Sequence, residues 1–166
     1  MTRALLALGT LAFLGCGPAA APGDGFDIQL VVSRGLLDQI SAFQVALVTQ
    51  GASLDCVAVQ RACIKDQVDS ARFVPVKDGA GMTHQALRFP ISLTTGTPNT
   101  QDVSLRDLPL GRDYALVVEA VSKDSPPRLA GSSCSYVKEL TAGTNMTVFA
   151  RVEMLATPAS CDPTLP

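Results

Sequence analysis

Hydrophobic and polar residues alternate with a period of two over most of the chain, the spacing that puts successive side chains on opposite faces of a β-strand. Phe26, Ile28, Leu30 and Val32 alternate with Asp27 and Gln29 and predict a first strand. Residues 34–40 read as a connection with one helical turn, and residues 41–49 as a second strand with Phe43, Val45 and Leu47 inward. Residues 51–69 are less regular. Pro75 and Pro90 each remove a ladder donor, so the strands that hold them, over residues 72–77 and 85–93, are expected at edges or bulges. Val103 and Leu105 lead into Leu108-Pro109-Leu110-Gly111, a β-turn in which proline pre-sets φ and glycine suits the fourth position. Beyond the turn, Tyr114, Leu116, Val118 and Ala120 share one face, and Ala115, Val117, Glu119 and Val121 the other. Both faces are largely apolar, so this strand is expected at the centre of a sheet. Strands around residues 133–137 and 146–155, separated by a turn at 141–145, complete the series.

About seven to nine short strands in one core-sized chain predict an all-β fold, a single antiparallel β-sandwich over residues 26–166. Leu108, Gly111 and Tyr114, followed by Leu116, Val118 and Ala120, resemble the corner of fibronectin type III and related immunoglobulin-like sandwiches. The same run is similar to transthyretin-like modules of bacterial surface proteins. The resemblance implies that Tyr114 is a structural tie, its hydroxyl bonded back to upstream backbone, rather than a contact residue.

The N-terminus changes the picture. Met1-Thr2-Arg3 is a short positive segment, and residues 4–14 form an apolar run of 11 residues. A bilayer span needs about 20 residues, so this run fits the hydrophobic region of an export signal. It ends in Phe13-Leu14-Gly15-Cys16-Gly17, which resembles the lipobox of bacterial lipoproteins. That resemblance implies cleavage before Cys16 and acylation of its thiol and its new amine. Residues 1–15 are then the signal peptide, and residues 16–25, rich in Gly, Pro and Ala, a flexible tether. Each buried acyl methylene contributes about 0.8 kcal/mol, so several chains make a lasting anchor. Gly17 after the cysteine implies sorting to the outer membrane, on its periplasmic or its surface face. An ordinary secretory signal with an incidental cysteine is the alternative.

Cys56, Cys63, Cys134 and Cys161 are even in number, which in an exported chain predicts two disulfides with three possible connectivities. Cys56–Cys63, closing a small loop, and Cys134–Cys161, tying down the tail, are the favoured pairs. A metal or redox site would call for Cys-x-x-Cys or a neighbouring histidine; neither occurs, and no metal or cofactor is expected. The single histidine, His84, follows a glycine turn and reads as a surface or turn residue. Gly131-Ser132-Ser133-Cys134-Ser135 lacks the closing glycine of a nucleophile elbow. The pairs Asp24/Asp27 and Asp66/Asp69 read as turn caps before calcium ligands. Formal net charge is −2, with 13 basic and 15 acidic residues scattered singly, which provides no surface for nucleic acid. Trp is absent and Tyr occurs only 2 times, which leaves little for an aromatic sugar platform.

The expected function is therefore non-enzymatic: a lipid-anchored envelope lipoprotein acting as a structural or protein-interaction module. Its N-terminal lipid meets the membrane, and loops or an edge strand meet an envelope protein. A carbohydrate- or small-ligand-binding sandwich is the alternative, and a hydrolase assembled from dispersed carboxylates is a third reading.

Overall fold

The computed structural model describes residues 24–92, 99–143 and 145–166. In chain order these form β1 (Gly25–Val32), α1 (Arg34–Leu37), β2 (Ile40–Thr49), a 3-10 turn at Gly51–Ser53 and α2 (Cys56–Val59). Two further 3-10 turns, Ile64–Asp66 and Ser70–Arg72, precede β3 (Val76–Lys77), β4 (Thr83–His84) and β5 (Leu87–Pro90). The long strands follow: β6 (Asn99–Leu105), β7 (Gly111–Ser122), β8 (Leu129–Leu140) and β9 (Asn145–Ala159). Leu93, the last residue of the strand expected over 85–93, lies outside the described residues.

The fold is all-β. Seven strands make one sheet in the order β5-β2-β7-β8-β9-β1-β6, nearly closed into a barrel, and β3 pairs with β4 separately. The expected antiparallel sandwich needs correction, because β1 and β9 run parallel from Gly25↔Asn145 to Val32↔Val152. The cause lies in β9. Its first half lies along β1, and it pairs with β8 only through Glu153, Met154 and Ala159. In that register Met146, Val148, Ala150 and Val152 stand beside Phe26, Ile28, Leu30 and Val32. Two apolar rows thus meet on the inward side, which is what the period of two demands.

β7 lies between β2 and β8 and buries both of its faces. Tyr114, Leu116, Val118 and Ala120 point into the barrel core with Phe26, Phe43, Leu47 and Leu105. Ala115 and Val117 point outward into a second cluster with Ala46, Val48, Val59, Ile64, Val68 and Phe73. The irregular stretch after β2 is therefore an outer layer that covers the β2–β7–β8 face. Gly51 sets how closely that layer approaches: a Cβ there would fall 2.2 Å from the Tyr114 carbonyl oxygen. At the corner before β7, the Tyr114 hydroxyl donates to the Pro109 carbonyl at 3.0 Å.

β5 and β6 are the two edges of the sheet, and Pro90 sits on β5, where a missing donor costs no ladder bond. Gln101 spans the gap between them. It points inward from β6 and is 6% exposed. Its Nε2 donates to the Pro90 carbonyl at 2.9 Å, and the Ser92 amide donates to its Oε1 at 2.9 Å. One side-chain amide thus stands in for backbone pairing across the seam.

Candidate functional site

The cysteines pair differently from expectation. The bonds are Cys56–Cys134 and Cys63–Cys161, with Cα–Cα distances of 5.5 and 6.0 Å. Proximity in sequence favoured a short Cys56–Cys63 loop, but the outer layer is too small to hold itself. Each bridge instead fastens it to a neighbour, α2 to β8 and the start of the Ile64–Asp66 turn to the C-terminal tail. The donor atoms of Cys63, Asp66 and Cys161 lie within 4.8 Å of one another. The two sulfurs are bonded to each other, so no thiolate remains there to hold a metal.

Beneath this layer lies a buried carboxylate that sequence reading did not single out. Glu119 points outward from β7 and is 1% exposed. Its Oε1 accepts the Ile64 amide at 2.8 Å, and its Oε2 accepts Gln44 Nε2 at 2.9 Å. Gln44 also donates to the Pro163 carbonyl at 2.8 Å and accepts the Leu165 amide at 3.0 Å. One carboxylate and one amide therefore join β2, β7, the outer layer and the tail. Burial pushes the Glu119 carboxyl up to about 7, against the pull of the Ile64 and Gln44 hydrogen bonds. The available signal was the single charge within the apolar run over residues 114–121 of β7. Ser132 stands opposite Glu119 in register, and its Oγ is the one buried side-chain polar atom without a partner among the described residues. This centre is closed to solvent.

Two open regions stand out among the described residues. The first is the outer face of β6, β1 and β9, over which no layer lies among the described residues. Its residues stand in rows: Ser104, Asp27 and Thr147; then Asp102, Gln29 and Phe149; then Thr100, Val31 and Arg151. Phe149 is 68% exposed in the middle of its strand. Beside it is a depression of about 300 Å³ lined by Asp27, Gln29, Asp102, Ser104 and Thr147. Asp27 accepts hydrogen bonds from Ser104, Arg106 and Asn145. The Ser104 bond first, and then Arg106, hold its carboxyl below the usual carboxylate range. Asp27, weighed with Asp24 as a calcium ligand, thus faces a guanidinium, while Asp24 accepts the Gly143 amide. Asp69 of the second pair caps the Ser70–Arg72 turn through the Ala71 amide at 2.8 Å.

The second open region is a pocket of about 340 Å³ whose walls include Ala71, Phe73, Pro75, Thr83, His84 and Pro166. His84 Nε2 lies 3.1 Å from Asp78 Oδ2. Asp78 closes the turn between β3 and β4, where its Oδ1 accepts the Ala80 and Met82 amides at 2.9 and 2.8 Å. The Met82 amide, followed by His84, holds the Asp78 carboxyl below its usual range. Sequence reading placed His84 after a glycine turn, which is where it lies; the pocket arises from residues distant in sequence and left no local signal.

Leu108, Gly111 and Tyr114 come together at the corner before β7, where Gly111 packs against the Tyr114 hydroxyl. Cys16 lies outside the described residues. No helix among the described residues is long and apolar enough to cross a membrane. No protein-family model matches the chain, and neither the curated proteins nor the solved structures provide a match.

Proposed function

We propose that the chain is a non-enzymatic bacterial envelope lipoprotein, anchored through Cys16 in the outer membrane, that serves as a structural or protein-interaction module. The observation that carries the interaction reading is the contrast between the two halves of the sheet. The β2–β7–β8 face is covered and fastened by two disulfides, while the β6–β1–β9 face is open and displays Phe149. An exposed aromatic ring on an uncovered sheet face is the kind of anchor around which a partner can pack. The edges β5 and β6 offer a second mode, strand addition, once the Gln101 clasp yields. For the fold, kinship with immunoglobulin-like folds is supported by the Tyr114 corner between β6 and β7. The ladder β5-β2-β7-β8 set against β6-β1-β9 supports it further. The anchor rests on the lipobox-like run ending at Cys16.

Metabolic labelling with a palmitate analogue tests the anchor. The wild type should carry label and sediment with membranes, and Cys16→Ser should lose both properties. Equal labelling of the two rejects the lipoprotein reading. Carbohydrate binding is a second reading, favoured by the placing of Phe149 among Gln29, Asp102 and Thr147, one ring bordered by polar groups. A glycan array on which the wild type binds and Phe149→Ala does not would choose it over a protein partner.

A further inference from the structure

The pocket beside His84 carries an asymmetry that packing alone does not call for. Its walls combine apolar surface from Ala71, Phe73 and Pro75 with the polar Ser70, Thr83 and Gln85, and one side holds an imidazole fixed by a carboxylate. Asp78 Oδ1 is occupied by two backbone amides, so its Oδ2 is the oxygen that faces His84. A carboxylate facing Nε2 selects the tautomer with its proton on Nε2. The other ring nitrogen, Nδ1, is then a bare acceptor, and among the described residues no hydrogen bond reaches it. His84 is the one side chain bonded to Asp78 among the described residues, with no lysine or arginine on the carboxylate. The His84 side chain is 29% exposed, so a small molecule can reach it. The Asp78 carboxylate, held below its usual range, places a negative charge next to the imidazole that lines the cavity.

We infer that this pocket is a binding site for a small organic cation, an ammonium group on an apolar body. The ammonium donates to His84 Nδ1, its charge complements Asp78, and its body lies against Phe73 and Pro75. A neutral alcohol satisfies the acceptor but not the charge. A carboxylate satisfies neither.

Three probes that share one ring separate these contributions: benzylammonium, benzyl alcohol and benzoate. In a titration of the purified, oxidised protein followed by NMR, benzylammonium should saturably shift the His84 imidazole and Phe73 ring resonances. Benzyl alcohol should bind at least about tenfold more weakly, a difference of about 1.4 kcal/mol, and benzoate should leave both rings unmoved. Asp78→Asn is the decisive variant. Its side-chain oxygen still accepts the Ala80 and Met82 amides, so the turn is retained, but its amide donates to Nε2 and moves the imidazole proton to Nδ1. The imidazole nitrogen shifts should report that exchange of tautomers, and benzylammonium affinity should fall at least about tenfold. His84→Phe, which fills similar space without an acceptor, should give the same loss. Equal shifts by benzoate and benzylammonium would mark the site as merely apolar and overturn the proposal. So would undiminished benzylammonium binding in Asp78→Asn with the tautomer exchanged, or the absence of any shift at His84. None of these outcomes depends on Cys16 or on the open face around Phe149.

Discussion

Serine at both Cys63 and Cys161 is expected to lower stability by about 3–4 kcal/mol, since with Cys56–Cys134 intact the bridge closes a ring of about 35 residues. The loss should begin in the outer layer. Without the bridge, the tail keeps the Gln44 bonds to Pro163 and Leu165, the bonds that its Cys161, Thr164 and Pro166 carbonyls accept from Leu129, Lys65 and Gln85, and apolar contacts such as Leu165. The Ile64 amide, which rests on Glu119, should then exchange with solvent far faster than amides of β7. Urea unfolding measures the first effect, and hydrogen exchange the second. A fall in stability below about 1 kcal/mol would mean that burial of Val59, Ile64, Val68 and Phe73 holds the layer unaided.

The second large effect is a dependence on pH. Glu119 titrates near 4.5 in the unfolded chain and at about 7 when folded, so the folded state binds its proton more tightly. Its stabilising contribution is complete below about pH 4.5, shrinks as pH rises toward 7, and is gone above that. At about 1.4 kcal/mol for each unit of pKa, the span amounts to about 3 kcal/mol. The exposed carboxylates with lowered values, Asp27, Asp78 and Asp162, act in the opposite sense and at lower pH, below about 3.8, where protonation weakens the folded state. Chemical denaturation at intervals from pH 4.5 to 8 should show wild-type stability falling, and Glu119→Gln should remove most of that slope. The amide can accept from only one of Ile64 and Gln44, so the variant also loses a constant amount at every pH. The slope is the diagnostic quantity. An unchanged slope in the variant would assign the titration elsewhere.

Much of the barrel was legible in the chain because its rule is local. The alternation of Phe26 to Val32 and of Phe43 to Leu47, and the doubly apolar strand after Leu108, place β1, β2 and β7 within a residue or two of their observed bounds. Tyr114 announced its corner through its neighbours. The direction of β9 was not legible. Its alternation is compatible with either parallel or antiparallel pairing, and the choice depends on which edge remains free once the other strands have closed. The disulfides failed for a related reason. Closeness in sequence measures the cost of closing a loop, whereas the actual partners are decided by what the outer layer lies upon. Glu119 was half legible: a single charge within Tyr114-Ala-Leu-Val-Val-Glu-Ala-Val needs a partner, but nothing local names Ile64 or Gln44. The pocket at His84 was invisible, since Phe73, His84 and Pro166 meet only in three dimensions.

The parallel pairing of the first and last long strands also fixes a schedule. β1 finds no ladder partner until β6 at Asn99, and its other side stays open until β9 begins at Asn145. Pairings so distant in sequence must first overcome the entropy of closing a large loop, so they form late and slowly. The bridges obey the same order, each joining a cysteine of the first half to one of the last third. During synthesis, therefore, β1 has neither of its ladder partners, and the first two disulfide cysteines lack theirs, until most of the polypeptide is present. Under the export proposed above, such lateness would keep the chain able to cross a membrane.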